Sequence, residues 1–314
     1  MKKLSKIAIL FFIIFILPQS VDATRLLIPV GQVIGMELAD GSVTVAGTTG
    51  ESPLKSGDRI LSIDSRRITC ATDIRKALMQ SDGTVTVTVL RNGKEKQLRI
   101  APTVTADGPR LGVYLKEGIT GIGTVTYYDP NTGEYGALGH GVSDRSGTLL
   151  QMKEGTSYEA SVLSIKKGKI GTPGQLLGSL RSSAPVGKLE KNTSQGVFGN
   201  CKNRWQGQVL PTAAPDEVRE GSATIRCAVT GNEVQEYSVE ILKIYPCMKG
   251  KDRNLLLKVT DPVLLETTGG IVQGMSGSPI IQNGKLVGAV THVLVNDPTM
   301  GYGILIENML DAAA

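Results

Sequence analysis

The sequence has few aromatic residues, few cysteines and few histidines. Phe, Trp and Tyr make up 4% of its 314 residues, and it contains four Cys and two His. The Cys form no Cys-x-x-Cys pair and no His lies near them at ligand spacing, so no zinc site or other cofactor is predicted. The net charge of +5 is small, and no dense basic stretch carries interleaved aromatic residues, which argues against nucleic-acid binding. Free thiols and a disulfide among Cys201, Cys227 and Cys247 both remain open.

The strongest apolar segment lies at the start of the chain. Lys2, Lys3 and Lys6 precede an apolar run over residues 7–17, and residues 21–23 have the small side chains that signal peptidase requires. The run is shorter than the roughly 20 residues that span a bilayer. Residues 1–23 therefore predict a secretory signal or, if it is retained, an N-terminal anchor. In both cases the rest of the chain is expected outside the cytoplasm.

Residues 24–105 have the pattern of a small β-rich domain with one or two helices. A short helix is predicted from Thr72, and residues 85–89 alternate between Val and Thr as in a half-buried strand. Residues 92–93, Asn-Gly, predict a tight hairpin turn, and residues 97–100 form the returning strand.

One segment of this domain resembles a known module. Residues 52–64, which read Ser-Pro-Leu-Lys-Ser-Gly-Asp-Arg-Ile-Leu-Ser-Ile-Asp, are similar to the Gly-Asp turn and following strand of PDZ domains in bacterial proteases. Such domains add an extended peptide to a sheet edge and hold its carboxylate on a Gly-containing loop. Ile34, Gly35 and Met36 match the hydrophobic-Gly-hydrophobic pattern of that loop. The resemblance implies that a peptide C-terminus or internal segment binds there.

Residues 106–314 predict a second domain of short strands. Residues 102–109 form a linker that contains Pro, and strands with Gly and Pro turns follow. Examples are the hairpin of residues 123–140 and the Asn-Gly hairpin of residues 280–287. Many short strands over about 200 residues favour a β-barrel or a pair of barrels.

Residues 274–279, Gly-Met-Ser-Gly-Ser-Pro, contain the candidate nucleophile Ser276. A nucleophilic serine needs a tight turn whose amides converge on the developing oxyanion, and the flanking glycines permit such a turn. The amides of Gly274 and Ser276 are the candidate donors. The segment resembles the Gly-Asp-Ser-Gly-Gly-Pro segment of chymotrypsin-like peptidases, with Met and Ser at two of the positions.

A serine hydroxyl needs a base, most often His, and the base needs a carboxylate that orients it. His140, flanked by small residues at a predicted strand end, is favoured as the base over His292, whose strand context favours a structural imidazole. Asp261 lies 15 residues before Ser276, at a strand end with apolar neighbours, and is favoured as the third member. Asp144, four residues after His140, remains the alternative.

Longer segments resemble the SpoIVB family of sporulation serine peptidases from endospore-forming bacteria. They are residues 135–140, 259–279, 291–298 and 301–303. The resemblance implies a PDZ domain followed by a chymotrypsin-like double β-barrel, and it maps the triad to His140, Asp261 and Ser276.

The resemblance also implies a biological role. Such enzymes are secreted into the space between the two forespore membranes, where they cleave themselves and the extracytoplasmic part of a membrane-bound regulator. That cleavage frees an intramembrane protease that activates a late sigma factor. Two other functions stay open. A non-catalytic PDZ adaptor would bind peptides without any acylation, and an envelope quality-control protease would cut unfolded proteins broadly.

Overall fold

The computed structural model describes residues 24–50, 52–144, 147–202, 204–245 and 251–314. The predicted secretory segment and Cys247 lie outside these ranges. The chain is mainly β, as predicted. The helices of the described residues are α1 (Ala71–Met79), α2 (Pro262–Thr268) and α3 (Ile306–Ala313), with a 3₁₀ turn at Pro215–Glu217. No helix in these ranges is long and apolar enough to cross a membrane.

The strands follow the chain in this order: β1 (Leu26–Pro29), β2 (Val33–Thr48), β3 (Arg59–Ile63), β4 (Arg66–Arg67), β5 (Val85–Arg91), β6 (Lys94–Ile100), β7 (Thr103–Thr105), β8 (Gly108–Arg110), β9 (Val113–Tyr128), β10 (Glu134–Ala137), β11 (Glu154–Lys166), β12 (Gln175–Thr193), β13 (Gly196–Asn200), β14 (Leu210–Pro211), β15 (Gly221–Cys227), β16 (Gln235–Ile244), β17 (Leu255–Val259), β18 (Pro279–Gln282), β19 (Lys285–Leu294) and β20 (Asp297–Leu305).

Six strands close into a first barrel in the order β9, β10, β13, β12, β11, β2 and back to β9. Each neighbouring pair is antiparallel. The interior is apolar, with Val125, Tyr135 and Leu189 among its fully buried side chains. Closure leaves no free edge along the ring, which is how β-barrels avoid pairing with other chains.

The second barrel closes in the order β15, β16, β17, β20, β19, β18. Its core contains Ile225, Val239, Leu257, Ile280 and Val290, each at most 2% exposed. Along β15, β16 and β17 the buried residues alternate with more exposed ones, as a barrel requires, whereas β18 is buried throughout. The predicted double β-barrel is confirmed, and the two barrels meet along the segments that carry the candidate site.

The small domain that resembles PDZ domains lies at the other end of β2 and β9. Strands β3, β5 and β6 extend the sheet from β2, and α1 buries Ile74, Ala77 and Leu78 against it. The predicted Asn-Gly hairpin joins β5 to β6. Asp58 of the Gly-Asp turn accepts hydrogen bonds from Arg91 at 2.6 Å, and this guanidinium holds the pKa of that carboxyl below its usual range.

Two strands belong to both domains. The first half of β2 pairs with β11 inside the barrel, and its second half pairs with β3 inside the small domain. Strand β9 accompanies β2 through both halves, and the register shifts between Leu38 and Val43. Gly118 allows this bend, since its φ is +63° and a Cβ there would lie 1.9 Å from the carbonyl oxygen of Leu38. The junction is therefore a bent two-stranded ribbon.

Candidate active site

The turn that carries Ser276 lies against the first barrel. Gly274 and Gly277 have φ of +101° and +97°, values that disfavour residues with a Cβ. Thr124 of β9 holds the turn, because its amide donates to the Ser276 carbonyl at 3.0 Å and its hydroxyl donates to the Gly274 carbonyl at 2.8 Å. A Cβ on Gly277 would lie 2.0 Å from the Thr124 carbonyl oxygen. The predicted need for glycine at 277 thus has a packing reason as well as a conformational one.

The turn leaves two backbone amides available. Within the described residues, the Met275 amide donates to Val272 and the Gly277 amide to Val290, whereas the Gly274 and Ser276 amides have no acceptor. Both residues are half-buried and line the cavity described below, and free amides beside a candidate nucleophile suit a developing oxyanion. Their availability agrees with the predicted roles of Gly274 and Ser276.

His140 follows β10 on a turn in which Leu138 and Gly139 both have φ of +69°. The Leu138 amide donates to the Thr124 carbonyl at 3.2 Å, so one residue of β9 positions both the histidine turn and the serine turn. The His140 Nδ1 atom lies 2.9 Å from the Gly141 carbonyl oxygen. Because a carbonyl only accepts, Nδ1 is a protonated nitrogen, and in the neutral form of the ring Nε2 would carry the lone pair. That form is the one a general base needs.

His292 lies in the same site, although its strand context favoured a purely structural imidazole. Its ring centroid is 5.0 Å from that of His140, and its Nδ1 atom is 3.7 Å from an Asp252 carboxylate oxygen. Burial, followed by the charge of His140, lowers the pKa of His292 to about 4 despite the opposing effect of Asp252. His292 is therefore neutral at pH 7. Asp252 precedes β17 in a charged segment, and no motif in the sequence marked it.

Neither candidate third member contacts His140 through a described hydrogen bond. Asp261 is the N-cap of α2, where its carboxylate accepts from the amide of Leu264 at 3.0 Å and from the amide of Ser238 at 3.3 Å. Asp144 accepts from the Thr148 amide at 3.1 Å in an exposed turn. The structure thus brings Ser276 and His140 to one site and places both carboxylates in local backbone contacts. The role of Asp261 as third member stays a prediction.

Ser276 and His140 open into a cavity of about 520 Å³ between the two barrels. Strands β2, β9 and β19 and the segments around His140 and Ser276 form its walls. The lining residues are Met36, Leu38, Ile119, Gly121, Ile122, Leu138, His140, Gly141, Val142, Ser143, Pro173, Ile271, Val272, Gln273, Gly274, Ser276, Thr291, His292, Val293 and Val295. A serine and an imidazole in a cavity of this size are groups that acyl transfer uses.

Comparison with known families identifies the family of this chain. The model of the SpoIVB peptidase S55 family matches residues 107–310, and that of the PDZ domain matches residues 33–101. The chain belongs to the SpoIVB peptidase S55 family. It is a serine peptidase with a PDZ domain, as the resemblance of its segments implied.

Other relatives of this SpoIVB family member are more distant. "Putative zinc metalloprotease Atu1380" of Agrobacterium fabrum is 38% identical over 82 residues, which are 26% of this chain and 21% of that protein. The chain thus matches about a fifth of the length of that curated relative. The Rv3671c protease of M. tuberculosis in its active form is 14% identical with a TM-score of 0.36, covering 62% of this chain and 73% of that one. Its inactive form is 13% identical with a TM-score of 0.36, over 61% and 82%.

The cysteines of this SpoIVB family peptidase take no part in the described site. Cys70, Cys201 and Cys227 are free thiols, so no disulfide joins Cys201 to Cys227. Burial raises the pKa of Cys201 to about 11 and that of Cys227 to about 12, which keeps both protonated. In the part of the chain that the structure describes, no three His, Cys, Asp or Glu side chains are grouped so that they could hold a metal ion.

The predicted PDZ loop is wrong as a peptide-binding element. Ile34, Gly35 and Met36 lie inside β2, paired with β9 on one side and with β11 on the other. A Cβ on Gly35 would lie 1.5 Å from the Leu180 side chain. These residues are therefore a barrel strand with no free edge, and a peptide cannot add to them.

A second groove has the free strand edge that the predicted loop lacks. It has a volume of about 280 Å³ and lies between α1 and the start of β9, with Ile74 and Arg75 on the helix and Val113 on the strand. Residues 113–117 pair with β2 on one side, and no described strand pairs with their other side. The segment that enters this strand, residues 111–113, reads Leu-Gly-Val. It has the same hydrophobic-Gly-hydrophobic pattern as residues 34–36, so the sequence carried this signal at two places.

Proposed function

We propose that the protein is an extracytoplasmic serine endopeptidase of sporulation signalling, which cleaves itself and the extracytoplasmic part of a membrane-bound regulator of an intramembrane protease. The family and the enzyme class are given by the match over residues 107–310. The apolar segment at residues 7–17 supports export, and a retained segment would keep the enzyme at a membrane surface, near such a substrate. The space between the two forespore membranes is the proposed location.

The observation that carries the catalytic part is the placement of Ser276 and His140 in one cavity with the unpaired amides of Gly274 and Ser276. His140 takes the proton of the Ser276 hydroxyl as this oxygen attacks the scissile carbonyl. The two amides stabilise the resulting oxyanion. The protonated imidazole then donates to the leaving amine, and water, deprotonated by His140, releases the acyl group.

Labelling with a fluorophosphonate tests this mechanism. We expect the probe to modify the wild-type protein on Ser276, with no modification of Ser276→Ala. Ser143→Ala is the matched control, because Ser143 lines the same cavity but makes no contact with Ser276 in the described hydrogen bonds. Labelling that survives in Ser276→Ala would assign the nucleophile elsewhere. A folded wild-type protein that binds peptides but never reacts would instead support the non-catalytic adaptor.

The proposed self-cleavage has its own test. The wild-type protein and Ser276→Ala are expressed in parallel, and their N-termini and fragments are determined by intact-protein mass spectrometry. We expect fragments from the wild type alone, whereas removal of a secretory signal by signal peptidase would occur in both. Identical fragments in both proteins would contradict self-cleavage while leaving the labelling result intact.

We further propose that the groove between α1 and residues 111–115 binds a peptide C-terminus or an internal segment of the substrate. The unpaired side of residues 113–117 supports this, since PDZ domains bind peptides by adding a strand to such an edge. Strand β9 then continues directly into the wall of the catalytic cavity at Ile119 and Ile122. A substrate held in the groove would be kept close to Ser276.

A further inference from the structure

Most residues that line the cavity beside Ser276 are apolar or glycine. Its partly buried walls include Ile119 and Ile122 of β9, Val142 after the histidine turn, and Val293 of β19. Among the described residues that line it, none is Asp, Glu, Lys or Arg. Burial keeps His292 neutral at pH 7, because its pKa is lowered to about 4. The cavity therefore offers no opposite charge to a charged ligand group.

Gly121 opens this cavity further. It lies on β9 opposite Met36 of β2, and a Cβ built on it would meet no atom within 4 Å. The next glycine on the same strand differs, because a Cβ on Gly123 would lie 2.1 Å from the Leu138 side chain. Glycine inside a strand weakens it, and where packing does not require it, it marks the close approach of another group. The space at Gly121 is free for such a group.

We propose that this cavity binds a large apolar side chain of the peptide substrate beside the scissile bond, and that Gly121 sets the size limit of that side chain. The inference rests on the proposed peptidase function, since the bound side chain must belong to a peptide that Ser276 attacks. Leu, Met and Phe are the residues that fit best. Because the cavity is continuous with Ser276, the group that binds in it is a side chain of the substrate.

The selectivity follows from desolvation. A charged side chain that enters an apolar cavity loses its hydration, and here it would find no paired charge among the described lining residues. Serine peptidases that cut at basic residues place a carboxylate in the pocket, whereas those that cut at large apolar residues have an apolar one. We expect cleavage at Leu, Met or Phe to be roughly 100-fold faster than at Lys, Arg, Asp or Glu.

A denatured, proteome-derived peptide library tests the inference. The wild type, Gly121→Val and Gly50→Val are incubated with it, and mass spectrometry reads the residues on both sides of each cut. We expect the wild-type cuts to be enriched in Leu, Met or Phe at one flanking position. Gly121→Val should shift that position towards Ala and Val, with a loss of about tenfold or more for Phe. Gly50→Val is the matched control, since a Cβ at Gly50 also meets no atom within 4 Å but lies in the PDZ domain.

Fluorophosphonate labelling separates the outcomes. The probe is small, so Gly121→Val should react at a rate within about threefold of the wild type, which shows a folded and competent site. Two outcomes would overturn the inference but leave the peptidase function standing. One is a set of Ser276-dependent cuts without apolar enrichment. The other is an unchanged cleavage profile in a Gly121→Val protein that labels normally. A wild type that labels yet cuts no library peptide would also overturn it. If the wild type is not labelled, or if the cuts persist in Ser276→Ala, the proposed peptidase function itself is refuted.

Discussion

The hydroxyl of Ser276 donates a hydrogen bond to the carbonyl oxygen of Thr291 at 2.7 Å. A serine hydroxyl has one proton to donate, so this bond must break before the proton can move to His140. Thr291 belongs to β19, whose following residues His292 and Val293 line the catalytic cavity. In the described geometry the proposed nucleophile is thus held by the second barrel.

Gly277 should be the least replaceable glycine of the serine turn. In Gly277→Ala the new Cβ would press on the Thr124 carbonyl and the Leu138 amide, and the φ of +97° would remain strained. We expect a loss of at least about 3 kcal/mol in the free energy of unfolding, together with loss of labelling. Thermal unfolding and fluorophosphonate labelling measure both effects.

Gly284→Ala is the matched control for Gly277→Ala. Gly284 also has a positive φ, +74°, but a Cβ there meets no atom within 4 Å. Only the backbone strain of about 1 kcal/mol is expected, with labelling kept. Equal losses in the two variants would show that the contact with Thr124 is unimportant.

His292 should make the protein less stable in mild acid. Its pKa in the folded state is about 4, below the ordinary value of 6.5, so the unfolded chain binds a proton in this range while the folded one does not. Stability is therefore lost as the pH falls from about 6.5 to 4. Because 34% of the side chain is exposed, solvent screening reduces the effect to about 1 kcal/mol.

Denaturant unfolding of the wild type and His292→Gln at pH 7 and pH 4.5 measures this contribution. The wild type should lose about 1 kcal/mol more than the variant between these two values. Carboxylates remote from residue 292 are the same in both proteins, so their contribution cancels in the comparison. The same loss in both would contradict the lowered pKa.

Asp261 can be tested separately as a helix cap and as a catalytic residue. Asn caps a helix as well as Asp, whereas Ala does not. We expect Asp261→Ala to lose about 1 kcal/mol of unfolding free energy and Asp261→Asn much less, because Asn can still accept from the Leu264 amide. Chemical denaturation measures both.

The labelling rate of Asp261→Asn then examines the third-member prediction without the loss of the cap. A fall of roughly 100-fold or more would support the assignment that the family resemblance implies. A rate within about twofold of the wild type would reject it. Asp252→Asn provides the comparison, because Asp252 is the carboxylate that lies beside an imidazole of the site.

Arg75 should contribute to peptide binding in the α1 groove. Arg75 lines the groove and Lys76, its exposed neighbour on α1, does not. For a peptide with a free C-terminal carboxylate, selected on a peptide array, Arg75→Glu should weaken binding roughly two- to fivefold. Lys76→Glu makes the same change of charge and should leave binding nearly unchanged. Fluorescence anisotropy measures the affinities, and equal weakening by both would indicate only a long-range charge effect.

Much of the fold and part of the site could be predicted from the sequence because the signals are local. Period-two alternation over residues 85–89, the Asn-Gly turn of residues 92–93 and the glycines around Ser276 each act within a few residues. The scarcity of histidine left two candidate bases, and the structure places both of them at the cavity. The sequence alone thus proposed Ser276 and His140 as nucleophile and base, and the structure places both at one cavity.

The tertiary structure decided what depends on residues far apart in the chain. The pattern of hydrophobic, Gly, hydrophobic occurs at residues 34–36 and 111–113, and only strand pairing shows that the first lies inside a closed barrel while the second enters a strand with a free edge. Asp252 reaches His292 across 40 positions, a contact that no local pattern encodes. The serine turn itself is local, but its fixed position depends on Thr124, which lies 150 residues before Gly274. Local propensity acts over a few residues, whereas barrel closure joins distant segments. For this reason the sequence determined the elements and the candidate nucleophile, while the tertiary structure decided their partners.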